Sequence, residues 1–406
     1  MRYQRFFTIL FAAMLICSGS TALAMEKPED INPYEPLPDA VEVISIDKNS
    51  VPAKSAILMS QESGQVLFEK DADILHPPAS ITKVMTMLLV VEAIDGGRLY
   101  LDDMVTITDH ASSMGGSQIW LEPNEQMTVG DLFKAVAISS ANDASCALAE
   151  HLAGSEETFV EMMNRRANEL GMENTSFVNC SGLDAEGHFS TARDISIMSR
   201  ELLKHPVVGE YSTVWMDSLR DGETQLINTN KLVRFYEGCT GLKTGTTDGA
   251  GSCLSASAVR DGLGLVAVVM GCTTSDDRFA SARGLLDYGF ANYTLVSPPP
   301  VDNQLTPVKV LRGVEESVAL MYDSPGQFLI DRNEEENIRQ EVAIAEDVQA
   351  PVEEGQSLGR VKVYIGDEIV SQYDLKAAES VAKMNFSRAF ARMLGAAVKL
   401  NETPKQ

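Results

Sequence analysis

The segment from His76 to Ile94, HPPASITKVMTMLLVVEAI, combines a polar start with a long apolar run. Pro77 and Pro78 disfavour helix at and before their own positions, so the spacing predicts a helix that begins near Ser80. The run after Lys83 is apolar for most of three turns, which is typical of a helix buried on all sides. A lysine in the first turn of such a helix requires an explanation, because a buried amine loses its hydration.

Ser80 and Lys83 are three residues apart and therefore share a helix face, so the hydroxyl and the amine can touch. The N–H groups at a helix N-terminus are unpaired and can stabilise an oxyanion. Burial among apolar neighbours lowers the pKa of an amine, and a neutral Lys83 could activate Ser80 as a nucleophile. The alternative is a capping serine followed by a lysine whose ammonium reaches solvent.

A second polar group interrupts an apolar helical stretch at Ser140-Ala141-Asn142, within ISSANDAS. Polar side chains in an apolar setting need hydrogen-bond partners, and a reacting centre would supply them. The alternative is that this pair caps the helix that follows. The pattern therefore makes Ser140 and Asn142 candidates for an active-site cleft.

The third motif is Lys243-Thr244-Gly245, followed by Thr246, at the start of a β-prone run. Lys243 offers a cation for a substrate carboxylate, and Thr244 adds a hydroxyl. Gly245 permits close approach of a ligand to the backbone, and Thr246 offers an N–H group to an oxyanion. The alternative is a solvated glycine turn. A nucleotide-binding loop is excluded because no Gly-x4-Gly-Lys-Ser/Thr occurs.

The three motifs occur in the order that characterises penicillin-binding proteins and class A β-lactamases. The chain closely resembles the low-molecular-mass D-alanyl-D-alanine carboxypeptidases of peptidase family S11. The resemblance covers roughly residues 50–295 and rests on the segments PASITKVMT, SSANDASCALAEHLAG, NELGMENTSFVNCSGLD, HFSTARDI, NTNKL and GLKTGTTDGAGSCL.

The resemblance implies a role for each motif residue. It makes Ser80 the nucleophile that forms an acyl-enzyme and Lys83 the base. The cleft residues would be Ser140, which assists proton movement, and Asn142, which binds a substrate amide. Recognition of a terminal D-alanine carboxylate would fall to Lys243 and Thr244, and the oxyanion hole to the N–H groups of Ser80 and Thr246. No cofactor and no metal are implied.

The hydrophobic pattern predicts an α+β fold. Strands open the domain at 53–71 around a turn with Gly64, and helices follow at 128–154, 155–172 and 191–205. Two further strands at 251–273 and a helix at 275–293, capped by Ser275 or Asp276, close it. This order fits an antiparallel sheet with a helical cluster, as in the β-lactamase/transpeptidase-like fold that the resemblance implies.

The chain divides into further segments. We expect a signal peptide at 1–24, a disordered lead-in at 25–50, the D,D-peptidase domain at 51–296, a linker at 297–302 and an all-β accessory domain at 303–375. The tail at 376–401 has helical periodicity, with five basic residues and one acidic residue. Its apolar and basic faces favour a helix that lies in a membrane interface; the alternative is a helix docked on its own domain.

The composition and the N-terminal segment indicate which partners and which cellular compartment to expect. The net charge of -25 argues against a nucleic-acid partner. The signal peptide predicts export to the extracytoplasmic face of the cell membrane, with peripheral attachment through the tail.

Five cysteines follow the signal peptide, without Cys-x-x-Cys or another zinc-binding spacing. An odd number leaves at least one thiol free or paired with another chain, and Cys253 and Cys272 fit buried hydrophobic positions.

These residues favour the hypothesis of a serine D,D-carboxypeptidase that acts on peptidoglycan stem peptides and is acylated by β-lactams. A D,D-endopeptidase would use the same parts. A β-lactamase would need a further acid for deacylation, and no Glu-x-x-Leu-Asn occurs between Ser140 and Lys243. A non-catalytic wall-binding protein remains the alternative from another class, although no motif is lost.

Overall fold

The computed structural model describes residues 45–323 and 325–401, with side chains described as far as Leu394. These residues all belong to one compact unit, 40–406. The predicted signal peptide at 1–24 and the part of the predicted lead-in at 25–44 lie outside the described residues. Within the described part of the chain, no helix is long and apolar enough to cross a membrane.

The strands of the described residues alternate with helices in the first two thirds of the chain and dominate the last third. They are β1 (Ser55–Ser60), β2 (Val66–Lys70), β3 (Met104–Thr106), β4 (Gln126–Thr128), β5 (Met216–Leu219), β6 (Thr224–Ile227), β7 (Cys239–Thr247), β8 (Gly251–Arg260), β9 (Leu263–Cys272), β10 (Tyr293–Val296), β11 (Val308–Leu311), β12 (Ser317–Val318), β13 (Leu320–Met321), β14 (Phe328–Asp331), β15 (Ile338–Ile344), β16 (Asp347–Gln349), β17 (Ser357–Ile365) and β18 (Glu368–Ala377).

The α-helices of the described residues are α1 (Lys83–Asp95), α2 (Asp109–Ser112), α3 (Val129–Ser139), α4 (Asn142–Ala153), α5 (Glu156–Glu169), α6 (Ala192–Leu202), α7 (Pro206–Ser212), α8 (Leu232–Phe235), α9 (Ser275–Asn292) and α10 (Phe386–Asn401). Short 3₁₀ turns occupy Lys48–Ser50, Ala79–Thr82, Arg220–Gly222, Asp302–Gln304 and Arg332–Asn337. The cap of α9 is Thr274, one residue before the two predicted candidates, because its hydroxyl accepts the N–H of Asp277 in a reciprocal capping box.

A five-stranded antiparallel sheet of order β2-β1-β9-β8-β7 forms the centre of the first domain. The predicted hairpin is confirmed as β1 and β2, and Gly64 adopts a φ of +77° in its turn. Strand β9 is buried on both faces. Val266, Val268 and Met270 pack into the helical cluster, whereas Leu265 lies on the opposite face against Gly289 of α9.

Helix α1 occupies the middle of the helical cluster, where ten of its residues are buried. It has no polar stripe because neighbouring elements cover it on all sides, as its sequence predicts. The helical segment begins near Ser80, as predicted, but its first turn is a 3₁₀ turn rather than an α-helical one. Ala79 adopts a φ of +49°, a 3₁₀ turn covers Ala79–Thr82, and the α-helix begins only at Lys83, whose N–H bonds the Ser80 carbonyl three residues back. The tight turn therefore carries Ser80 outside the regular helix.

The predicted break in the second helical stretch is confirmed. Helix α3 ends at Ser139, Ser140 adopts the left-handed conformation with a φ of +65°, and α4 begins at Asn142. A non-glycine residue in this conformation is uncommon and concentrates at functional sites. The motif therefore lies at a sharp corner between two buried helices.

The second domain is all-β, as predicted, with sheets of order β12-β11-β16 and β13-β18-β17-β15, and with β10 paired to β14. Its buried core includes Val308, Val310, Val352 and Val381. The predicted tail helix from 376 starts too early. Strand β18 runs through Ala377 and Val381 packs in the core, so α10 begins at Phe386.

Candidate active site

The turn that carries Ser80 is clamped between two glycines from distant parts of the chain. A methyl group on Gly182 would lie 1.9 Å from the carbonyl oxygen of Ala79. A methyl group on Gly245 in β7 would lie 3.0 Å from the Pro78 carbonyl oxygen and 3.1 Å from the Ser80 nitrogen. Both backbones approach the turn so closely that a side chain would displace it. The clamp sets the edge of β7 against the backbone of Ser80.

The side chain of Lys83 ends in a fully buried amine with three neighbours. Its Nζ lies 3.1 Å from Ser80 Oγ, 2.6 Å from Asn142 Oδ1 and 2.6 Å from the carbonyl oxygen of Ser181. The last two groups can only accept hydrogen bonds. A neutral amine has two N–H groups and one lone pair, so these two acceptors consume its donors and leave the lone pair for the Ser80 hydroxyl.

Burial lowers the pKa of Lys83 from 10.5 to about 7, with Asp143 opposing the shift in part. Removal of water penalises the charged amine more than the neutral one. At neutral pH a large fraction of the molecules therefore holds an uncharged amine next to the Ser80 hydroxyl. This arrangement is that of a general base and its nucleophile.

Asn142 and Asp143, the first two residues of α4, hold the adjacent loop in place. Asn142 Nδ2 donates to the Gly115 carbonyl at 2.6 Å, which leaves Oδ1 directed at Lys83. The buried Asp143 carboxylate accepts the backbone N–H groups of Ile119 and Leu121, each at 3.1 Å from Oδ2. These bonds fix the amide of Asn142 relative to the amine.

Ser140 is buried at the corner between α3 and α4, with 4% of its surface exposed. The structure places it in the motif position that the sequence indicates, but its hydroxyl makes no hydrogen bond to another described residue. Ser140 is therefore not yet joined to the network of Ser80, Lys83 and Asn142, and its hydroxyl remains available to a bound molecule.

Lys243, Thr244 and Gly245 lie in β7 and are buried. Lys243 Nζ donates to the Thr244 carbonyl at 3.0 Å, and Thr244 Oγ1 donates to Thr229 Oγ1 at 2.7 Å. Burial, followed by repulsion from Lys83 and Arg278, lowers the pKa of Lys243 well below its usual range. A bound carboxylate would reverse this effect by favouring the charged amine. Thr246 is exposed at the open end of the motif.

Arg278 of α9 is a site residue that the sequence reasoning missed. Its Nη1 donates to the Gly245 carbonyl at 3.1 Å and to Thr246 Oγ1 at 2.8 Å. The guanidinium therefore adds a second cation beside Lys243. Its position in α9 gave no signal, because Arg278 reaches β7 only through the tertiary fold.

Ser181 was also missed, because it contributes a backbone carbonyl that any residue could supply. His188, by contrast, is the structural hydrogen-bonding residue that the sequence predicted. Its Nδ1 accepts the Val178 N–H at 2.9 Å and its Nε2 lies 2.8 Å from Thr82 Oγ1. Burial lowers its pKa to about 4, so the ring is neutral and lies beneath the Ser80 turn.

Comparison with known proteins links this geometry to one family. Residues 42–274 match the profile of Peptidase S11, described as D-alanyl-D-alanine carboxypeptidase. Residues 293–383 match the C-terminal domain of penicillin-binding protein 5. The two matches correspond to the sheet-and-helix domain and to the all-β domain.

Individual relatives are similar over most of their length. The chain is 40% identical to the D-alanyl-D-alanine carboxypeptidase DacF of Bacillus subtilis, over 84% of this chain and 89% of that protein. It is 35% identical to DacC of Escherichia coli, over 84% and 87%. The solved structure of penicillin-binding protein 5 from Haemophilus influenzae matches with a TM-score of 0.69 and 29% identity, over 84% of this chain and all of that one.

A further solved structure shows a relative with a bound drug. Penicillin-binding protein D2 from Listeria monocytogenes, in its ampicillin-bound form, matches with a TM-score of 0.55 and 34% identity. The match covers 59% of this chain and 98% of that one.

The buried amine predicts how the reactivity of Ser80 depends on pH. The neutral fraction of Lys83 rises as the pH rises through about 7. Acylation of Ser80 by a small activated ester should therefore slow about tenfold per pH unit below 7 and level off above it. Single-turnover kinetics between pH 5.5 and 9 measure this profile, with circular dichroism at each pH to monitor folding. A rate that stays constant across the range in folded protein contradicts the assignment.

Proposed function

The chain belongs to the peptidase S11 family of serine-type D-alanyl-D-alanine carboxypeptidases, and we propose that it removes the terminal D-alanine from peptidoglycan stem pentapeptides. The observation that carries the proposal is the Lys83 amine, buried 3.1 Å from Ser80 Oγ and fixed by two acceptors. This pair supplies a nucleophile and a base. Lys243 supplies the cation that a substrate with a free carboxylate requires.

In the acylation step Ser80 Oγ attacks the carbonyl carbon between the two D-alanines, and its proton passes to Lys83 Nζ. The N–H groups of Ser80 and Thr246 stabilise the oxyanion of the tetrahedral intermediate. The carbon–nitrogen bond then breaks, and the proton that Lys83 accepted passes by way of Ser140 to the leaving D-alanine amine. An ester between the peptide and Ser80 remains.

Recognition of the substrate combines charge with shape. Lys243 and Arg278 present two cations at one end of β7, and Thr244 adds a hydroxyl for the D-alanine carboxylate. Asn142 binds a backbone amide of the peptide. Since the carboxylate raises the pKa of Lys243 on binding, the substrate restores the charge that burial suppresses.

Deacylation needs water and a base. After D-alanine leaves, the neutral Lys83 can take a proton from a water molecule that attacks the ester, and Ser80 is regenerated. A β-lactam would acylate Ser80 in the same way. Because its leaving amine stays attached to the acyl group, the amine remains in the site and the ester should last longer. A D,D-endopeptidase would use the same acyl-enzyme with a crosslinked peptide.

We place the protein on the extracytoplasmic face of the cell membrane, with α10 as a peripheral anchor. The exposed side chains of Phe386, Phe390, Met393 and Leu394 give the described part of this helix an apolar surface. Arg388 is exposed on the same helix. An exposed apolar stripe with basic residues beside it fits the interface of an anionic bilayer.

The first prediction of this proposal concerns Ser80. The wild-type protein should release D-alanine from a diacyl-D-alanyl-D-alanine peptide, and penicillin should add one covalent adduct that mass spectrometry locates on Ser80. Ser80→Ala should lose both reactions, while Ser113→Ala, a change of an exposed serine outside the site, should keep them. Release of D-alanine by Ser80→Ala at the wild-type rate contradicts the proposed nucleophile.

The second prediction concerns α10. A chain that ends at Met384 keeps the buried Val381 and so should fold, but it should not sediment with anionic vesicles as the full chain does. A double variant, Phe386→Ser with Phe390→Ser, should show the same loss without truncation. Equal sedimentation of the shortened and full chains would show that α10 is not the anchor.

A further inference from the structure

A cluster of side chains that could hold a metal ion lies next to the residues that hold Lys83. It contains five residues: His110, Cys146, Glu150, Glu156 and Cys180. We call these residues the thiol cluster. Each of the two overlapping groups within it, His110–Cys146–Glu150 and Cys146–Glu156–Cys180, has its ligand atoms within 4.8 Å of one another.

Four parts of the fold meet at the thiol cluster. His110 comes from α2, and Cys146 and Glu150 occupy one face of α4, four residues apart. Glu156 is the first residue of α5, and Cys180 lies in the loop before the Gly182 clamp. Because these side chains come from separate parts of the sequence, no local spacing motif indicates a metal site.

The contacts within the thiol cluster bring several donor atoms close together. Cys146 Sγ lies 3.4 Å from His110 Nδ1, and His110 Nε2 lies 3.6 Å from Glu156 Oε2. Glu156 Oε1 accepts the Cys180 N–H at 2.9 Å, which leaves Oε2 to face the imidazole. In a tetrahedral zinc site the donor–donor distances are about 3.3–3.8 Å. The distance between His110 Nε2 and Glu156 Oε2 falls in this range, and the ligand atoms of Cys146, Glu156 and Cys180 lie within 4.8 Å of one another.

Glu150 orients the imidazole ring and does not itself act as a metal ligand. Its Oε1 lies 2.8 Å from His110 Nδ1, and its Oε2 accepts the Thr108 hydroxyl at 2.5 Å. A carboxylate that takes the second nitrogen of a histidine is the usual support for a zinc ligand. It leaves His110 Nε2 to face Glu156 Oε2 at 3.6 Å.

The cluster is enclosed but reachable. Cys146 and Cys180 are fully buried, and the side chains of Glu150 and Glu156 are 13% exposed. The side chain of His110 is 51% exposed, so an ion can enter past the imidazole. Sulfur, nitrogen and a single carboxylate oxygen in this number suit Zn²⁺ rather than Ca²⁺ or Mg²⁺, which prefer oxygen.

We propose that the thiol cluster binds one Zn²⁺ through Cys146 Sγ, Cys180 Sγ, Glu156 Oε2 and His110 Nε2. The two thiols lose their protons to solvent as the metal binds, and no oxidant or reductant takes part. This site is separate from the proposed peptidase reaction and does not depend on it.

Zinc at this position would stabilise the elements that hold the catalytic amine. Cys146 lies one turn after Asn142, and Cys180 directly precedes Ser181; both neighbours accept hydrogen bonds from Lys83. The Cys180 carbonyl also accepts the Thr86 hydroxyl at 2.7 Å. A metal that joins the two cysteines therefore ties α4 to the 180–182 loop, the two parts of the chain that bind Lys83.

The test uses the chain without the predicted signal peptide at 1–24, purified under reducing conditions. A chelator first removes any bound metal, and the protein is then titrated with Zn²⁺ alone. We expect about one zinc per chain and a higher melting temperature. Co²⁺ in place of Zn²⁺ should give a thiolate-to-cobalt charge-transfer band. Hydrogen exchange of the backbone at 142–146 and 179–182 should slow when zinc binds.

Variants separate this site from adventitious binding. Cys146→Ser and Cys180→Ser should lose the stoichiometric zinc and the cobalt band, whereas the matched control Cys272→Ser, another buried thiol, should keep both. Glu150→Gln keeps all four ligands and should weaken zinc binding about 10–100-fold. The circular dichroism of each variant monitors its folding.

Two results would overturn the proposal. The first is zinc binding by Cys146→Ser and Cys180→Ser at wild-type affinity, which would place the metal elsewhere. The second is a disulfide between Cys146 and Cys180 in the protein purified without reductant that persists in the presence of zinc. Both results are independent of whether the wild-type protein releases D-alanine.

Discussion

The active site depends on the burial of one amine. Lys83 cannot reach solvent, and two of its neighbours, Asn142 Oδ1 and the Ser181 carbonyl, can only accept hydrogen bonds. The neutral amine satisfies both and directs its lone pair at Ser80. The left-handed corner at Ser140, the glycine clamp on the Ser80 turn and the Asp143 anchor all serve to hold this arrangement.

The arrangement has a cost in stability. A shift in the pKa of a lysine from 10.5 to about 7 corresponds to a penalty on the order of 5 kcal/mol at neutral pH. The amine of the unfolded chain is charged at that pH and that of the folded chain is half neutral. The penalty therefore vanishes above pH 10.5 and grows as the pH falls toward 7. The buried apolar core around α1 compensates for it, so stability and reactivity are set by the same burial.

Much of the fold and site follows from local sequence patterns, and the exceptions share a physical cause. The sequence predicts Ser80, Lys83 and Asn142 as neighbours because each lies at a position with a local signature, and the structure brings these three together. Arg278 and the Ser181 carbonyl were missed because they reach the site only through tertiary packing. The residues of the thiol cluster come from four separate parts of the fold, so no zinc-binding spacing in the sequence marks them. The 3₁₀ form of the turn before α1 could not be predicted, because a positive φ at Ala79 cannot be read from an alanine.

The central claim is that Lys83 is uncharged at neutral pH, and the most direct measurement is its own titration. Nitrogen NMR of protein labelled at lysine Nζ, with Lys83→Met to assign the signal, follows the amine of one residue. The account predicts a midpoint near 7. A midpoint near the ordinary lysine value of 10.5 would contradict it, because the amine would then be charged whenever the enzyme works.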